Sequence, residues 1–200
     1  MTDYILGLTG PTGAGKSTVA EELRRQGCTI IDCDQISREV TTVCTPCLDE
    51  LRQEFGAEIF EKDGTLNRQQ LAKKAFSSAE KTKRLNAITH PWICRRIGEE
   101  IQRYRQKESS GILVLDAPLL LEAGADVFCN QILVVLAPAE LRMQRIMQRD
   151  NLTESLARAR MQAQPEDAFY QENADICLDG TLDSDALSCQ VRQIVSGIVR

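Results

Sequence analysis

An α/β protein built around one parallel sheet is what this sequence predicts, and three observations predict it. Five short runs rich in Ile, Val and Leu recur along the chain: "YILGLT" (4–9), "TIIDC" (29–33), "ILVLD" (112–116), "ILVVL" (132–136) and "ADICL" (174–178). They mostly lack polar alternation, as strands buried on both faces do. Helical patterns lie between them, and strand–helix alternation implies right-handed crossovers with helices covering both sheet faces. The 42% hydrophobic content of 200 residues suffices for one such core with an inserted lobe.

Each element follows from local chemistry. After the first strand, "GPTGAGKS" (10–17) is too glycine-rich to be regular structure, and Ser17 to Gln26 continues as a helix with Val19, Ala20 and Leu23 on one face. Gly27 marks its C-terminus. About eighty residues separate the second strand from the third, too many for a simple crossover, so 35–111 is expected to form a separate lobe without strands. Inside it, Asp63-Gly64 makes a turn and Asn67 caps a helix. A helix is expected to end near "THP" (89–91), with a new one carrying Ile93, Ile97, Ile101 and Tyr104 behind Pro91 in its first turn. Leu187, Val191, Ile194, Val195 and Ile198 trace a final amphipathic helix.

Composition excludes several roles. A net charge of −5 with both signs interspersed argues against duplex nucleic acid as a partner. No apolar run approaches the ~20 residues of a membrane span, and the N-terminus opens into strand-like sequence, so a cytoplasmic chain is expected. Eight cysteines do not make a secreted disulfide scaffold in a chain of this length. Cys33 and Cys177 fall in expected strands and Cys94 on a helix, where thiols pack as small hydrophobes. "CTPC" (44–47) has the spacing of a zinc or redox pair but lacks a second ligand pair, the single histidine being His90. It reads as a loop with incidental thiols.

Gly10, Gly15, Lys16 and Ser17 satisfy G-x-x-x-x-G-K-[ST] between a strand and a helix, the P-loop pattern in its confirming context. Pro11, Thr12, Gly13, Ala14, Gly15, Lys16, Ser17 and Thr18 are the candidate ATP-binding residues. Backbone N–H groups of Gly13 to Thr18 can wrap phosphates at the positive end of the new helix. Lys16 adds a mobile charge near the β- and γ-phosphates, and the Ser17 hydroxyl suits Mg2+. A guanine-specific switch would need N-K-x-D, which the chain lacks. Asp32 and Asp34 follow at the carboxyl end of the second strand, where α/β sheets place ligands. Asp34 can orient an acceptor hydroxyl and take its proton, or cap a helix beginning at Gln35; spacing alone leaves both open. Arg142, Arg145 and Arg149 share a helical face beside Ala139, Met143, Ile146 and Met147. That stack points either to anionic phosphates or to a solvated basic face.

Taken in order, "GLTGPTGAGKSTVAEEL", "IIDCDQISREV", "FGAEIFEKDGTLNRQQL", "ITHPWI", "DAPLLLEAG" and "RMQRIMQRD" resemble the dephospho-CoA kinase family across nearly the whole chain. The resemblance implies a three-layer P-loop kinase fold with a five-stranded parallel sheet, a helical substrate-binding insertion and a short helical lid. Core would be 1–34 with 112–200, CoA-substrate lobe 35–111, and lid 140–165. It implies transfer of the ATP γ-phosphoryl group to the 3′-hydroxyl of dephospho-CoA, with Mg2+. Asp34 then becomes the base, Lys16 and Arg142 catalytic, and Arg142, Arg145 and Arg149 ATP-binding; Arg68, His90 and Leu119 join Asp34 as substrate-binding. Asp116 and Glu122 remain either site residues or ordinary strand-end acids. The expected partners are ATP and dephospho-CoA, with no nucleic acid or membrane, in a monomer or small homo-oligomer. Pro11-Thr12, Asn67 and Asp179-Gly180 depart from the family's commoner residues, and Asp179 bears on adenine contacts. The alternatives are another P-loop nucleoside or nucleotide kinase, or a nucleotide-binding regulatory switch.

Overall fold

The computed structural model describes residues 4–43, 45–107 and 111–199. Five strands, β1 (Tyr4–Thr9), β2 (Thr29–Asp32), β3 (Ile112–Asp116), β4 (Gln131–Leu136) and β5 (Ile176–Asp179), form one sheet in the order β2-β3-β1-β4-β5. β1 lies at the centre, paired in parallel with β3 (Tyr4 opposite Ile112) and with β4 (Leu6 opposite Gln131), and β4 pairs in parallel with β5. Cys33 does not extend β2; it is the first residue of the next helix, because the Asp32 side chain stops the strand by capping that helix.

The chain divides into two compact units, Met1–Ile31 with Glu108–Arg200, and Asp32–Lys107. In the first, the sheet is apolar on both faces, which explains the missing alternation. Leu6, Leu8, Val114, Leu133 and Val135 face one way and pack with Val19, Ala20 and Leu23 of α1 (Lys16–Arg25) and Leu187 and Val191 of α9 (Ser184–Ile198). Each such fully buried Leu or Val contributes roughly 1.5–3 kcal/mol of transfer free energy. The alternate residues Ile5, Leu113, Leu115 and Val134 are buried as well. Three further helices belong to this unit: α6 (Ala139–Asp150), α7 (Glu154–Gln162) and α8 (Asp167–Glu172).

The second unit is helical: α2 (Cys33–Val43), α3 (Thr45–Phe55), α4 (Arg68–Ala75) and α5 (Ala79–Gln106). Its core gathers Ile36, Val40, Leu51, Phe55, Ile59, Leu71, Ile97 and Ile101. Asn67 caps α4 as its sequence predicts, accepting from the Gln70 amide at 2.9 Å, and Gly64 turns with φ 85°. The only extended pairing described there is a bridge between Phe60 and Leu66.

Three expectations fail here. No helix ends near "THP", and Pro91 does not open one: it sits inside the 28-residue α5. An interior proline costs about 3 kcal/mol through its lost N–H and ring clash. Pro91 is exposed, while buried Thr89 precedes it and buried Ile97, Ile101 and Tyr104 follow. Packing on both sides of the break thus outweighs the local preference. The "CTPC" segment is also not a loop from Thr45 onward, since Pro46 and Cys47 lie in α3 with Cys47 buried; Cys44 lies outside the described residues. Among the described residues no three His, Cys, Asp or Glu side chains gather as a metal site. Cys177 lies in β5 but is exposed rather than packed as a small hydrophobe.

Candidate active site

β1 hands the chain to the glycine loop, and α1 begins at Lys16 behind Gly15, which has φ 105°. Among the described residues no side chain caps α1, and no acid occupies its first turn, so the positive end of the helix is left uncompensated by them. Ser17 and Thr18 are exposed there. Lys16 Nζ reaches the Asp116 carboxylate at the end of β3, 2.5 Å away, with both side chains largely shielded from solvent. Asp116 is therefore tied to the loop through its lysine, and Thr9 Oγ1 donates to the Pro118 carbonyl at 3.3 Å, joining the same strand ends.

The arginine face of α6 divides into three fates. Arg145 is a brace: its guanidinium donates to the carbonyls of Gly13 (3.2 Å), Ala14 (3.3 Å) and Gly180 (2.9 Å). Arg142 is buried and donates to the Asp167 carboxylate at 2.8 Å, while its Nε is buried with no hydrogen-bond partner among the described residues. Arg149 is exposed and paired with its neighbour Asp150, at 2.8 and 2.7 Å, and that hydrogen bonding holds the Asp150 carboxyl below its usual range. So the face is neither a uniform phosphate clamp nor a solvated stripe.

Close packing explains two glycines. α6 approaches so near that a Cβ on Gly13, whose φ is 79°, would lie 2.7 Å from the Arg142 carbonyl oxygen. A Cβ on Gly180 would lie 1.9 Å from the Ala14 carbonyl oxygen. The β5–α9 turn thus presses against the P-loop, and Asp179 spends its carboxylate within that turn, accepting from the Thr181 amide at 2.8 Å.

Two contacts had no motif to announce them. Gln164, after α7, accepts the Thr12 amide at 2.7 Å on Oε1. Glu122 accepts from the fully buried Tyr170 hydroxyl at 3.4 Å, and its other carboxylate oxygen is buried without a hydrogen-bond partner among the described residues. Burial pushes the Glu122 carboxyl above its usual range, against the weaker effect of its hydrogen bonds, and burial likewise raises Tyr170. Arg142, Met143, Arg158, Met161, Gln164 and Asp167 line a cavity of about 750 Å³ beside α6.

In the helical unit, Asp34 is exposed in the first turn of α2. The capping role weighed for it belongs to Asp32, whose Oδ1 accepts from the Gln35 amide at 3.0 Å. Arg68 donates to the Arg38 carbonyl (3.0 Å) and to Thr42 Oγ1 (3.1 Å), joining the start of α4 to α2. His90 is half-buried on α5, and burial lowers its pKa. Leu119, in the first unit, is 49% exposed, uncommon for a leucine beside a well-packed strand end.

A glycine loop at an uncapped helix start, with a lysine held beside it and Arg145 bonded to its carbonyls, can grip a polyphosphate and pass on its terminal group. The fold and this site define a P-loop kinase. The family model for dephospho-CoA kinase matches residues 4–185. A dephospho-CoA kinase of Corynebacterium glutamicum is 40% identical over 196 residues, covering 96% of this chain and 98% of that protein. Among solved structures, a Thermus thermophilus protein aligns with a TM-score of 0.83 at 31% identity, covering 98% of both chains. The dephospho-CoA kinase of Campylobacter jejuni aligns with a TM-score of 0.71 at 25% identity, again over 98% of both. This chain belongs to the dephospho-CoA kinase family, and it is an ATP-dependent kinase whose acceptor is an alcohol.

Proposed function

We propose a division of labour for transfer of the ATP γ-phosphoryl group to the 3′-hydroxyl of dephospho-CoA. The observation that carries it is the Lys16–Asp116 pair beneath an uncapped, arginine-braced glycine loop. Residues 10–18 hold the triphosphate, and Lys16 exchanges Asp116 for phosphate oxygens as charge spreads over the transferring group. Asp34, exposed in the first turn of α2, takes the acceptor proton. Arg142, Arg145 and Arg149 serve the nucleotide side, Arg145 through the loop it braces. Residues 35–111, with Arg68 and His90, form the acceptor lobe, exposed Leu119 adds an apolar contact to the acceptor, and 140–165 form the lid. The exposed Ser17 hydroxyl and the Asp116 carboxylate fit Mg2+, which binds through few protein oxygens plus phosphates. Bound there, the ion would neutralise phosphate charge. A cytoplasmic monomer or small homo-oligomer suits substrates that are small and diffusible.

A coupled assay of ADP release tests the reading. Release should stay near background with ATP and Mg2+ and rise sharply on adding dephospho-CoA; equal rates with and without the acceptor would sink it. In the same assay Asp34→Asn should lower kcat by about 10²–10⁴ with ATP binding little changed. Lys16→Ala should lower kcat by about 10²–10³.

A further inference from the structure

The Pro11–Thr12 peptide is held at both of its polar ends. Its carbonyl accepts from the Ala14 amide at 3.1 Å, and its N–H donates to Gln164 Oε1 at 2.7 Å. A peptide plane with both groups bonded cannot rotate without breaking one, and this plane directly precedes Gly13, where the run of phosphate-facing amides begins. Arg145 holds two carbonyls further along the loop, those of Gly13 and Ala14. Two separate elements therefore orient the loop: α6 through Arg145, and the connector between α7 and α8 through Gln164.

A second grip follows only three residues on, at the first residue of α8. Asp167 takes the Arg142 guanidinium at 2.8 Å, and Arg142, Gln164 and Asp167 all line the same cavity. One short segment thus sets both the tip of the phosphate loop and an arginine that lines the cavity beside α6. Displacing the segment disturbs the two together.

We propose that Gln164 is a positioning residue for phosphoryl transfer: by accepting the Thr12 amide it keeps the tip of the P-loop in register with the Arg142–Asp167 pair. It acts through the loop, not on the reacting atoms. Its contribution accordingly falls on kcat more than on ATP binding, since the Thr12 amide it accepts is spent within the protein and what it sets is the register of the loop during transfer. The proposal rests on the kinase reading above, whose own failure would show separately as a wild-type chain without acceptor-dependent ADP release.

The test is Gln164→Met, which keeps length and loses the accepting oxygen, assayed beside the wild-type enzyme with ATP, Mg2+ and dephospho-CoA. Expected is a fall in kcat of about ten- to a hundredfold, the equivalent of one lost hydrogen bond that leaves an amide unpaired. KM for ATP should change less than about threefold, and Tm should fall by no more than the roughly 3–9 °C that one unpaired amide costs. Gln164→Ser makes no packing demand and is read by the same criteria if the Met variant does not fold. A kcat within twofold of wild type overturns the proposal, as does a loss confined to KM for ATP. A kcat loss matched by an equal loss of titratable active sites also overturns it, because the role would then be structural.

Discussion

Helices α5 and α6 both carry arginines three or four residues from an acid or from one another, yet the two sets do different things. On α5, Arg95 pairs with Glu99 at 3.4 Å and Arg103 with Glu100 at 2.8 Å, each within a turn of its own helix and largely exposed. On α6, Arg142 reaches Asp167 and Arg145 reaches Gly13, 25 and 132 residues distant in sequence. Arg149, at the end of α6, behaves like Arg95 and Arg103 and pairs with adjacent Asp150, whereas Arg84 and Arg96 of α5 also reach the carboxylates of Glu54 on α3 and Glu39 on α2. The difference is one of partners: a guanidinium beside a local carboxylate is a solvated pair, whereas one turned toward backbone carbonyls becomes part of the loop's architecture.

Arg145→Ala should break this comparison most visibly. It strands three carbonyl oxygens, and a part-buried loss of that kind costs roughly 2–4 kcal/mol, about 6–12 °C in Tm by thermal unfolding. Activity should fall by about a hundredfold or more as the cradle loosens. Arg142→Ala comes next: it leaves Asp167, which is part exposed, without its partner, so unfolding should show about 2 kcal/mol. An Arg145→Ala variant as stable as Arg103→Ala would erase the distinction.

Glu122 sharpens it through pH. Its carboxyl is pushed up in the folded chain, mainly by burial, so the folded state holds that proton more tightly than the unfolded state. The resulting stability is complete below the ordinary carboxylate pKa of about 4.3 and is lost as pH rises through the elevated value. Glu122→Gln removes the titration, so its Tm relative to wild type should be higher at pH 8 than at pH 4.5. A difference independent of pH would mean that the carboxyl is not desolvated. The smallest effect belongs to Arg103→Ala, whose exposed pair should leave Tm within about 1 °C and kcat unchanged.

What could be read from residues follows the same divide. The five strands, the P-loop and the Asn67 cap were legible because each rests on chemistry within a few neighbours. β5 runs from Ile176 to Asp179 rather than 174–178, a shift at a strand end where neighbouring pairing sets the limit. Pro91 misled because local preference places a proline at a helix start, and only packing on both sides carries α5 through it. Asp32 took the cap weighed for Asp34 because α2 begins two residues earlier than expected. Gln164 had no pattern around it, and a polar residue before Pro165 is an ordinary helix ending in any sequence.

By itself the sequence determined that a polyphosphate cradle follows the first strand, that helices and parallel strands alternate around it, and which family the motifs in order resemble. Glycine φ, hydrophobic runs and caps act over a few residues, so they can be read in one dimension. Tertiary structure alone decided which cations serve that cradle. Arg145, Asp116 and Gln164 acquire their roles from partners 100 or more residues away, at Gly13, Lys16 and Thr12. A hydrogen bond of about 3 Å depends on where the folded core carries its two ends, and no spacing along the chain encodes that distance.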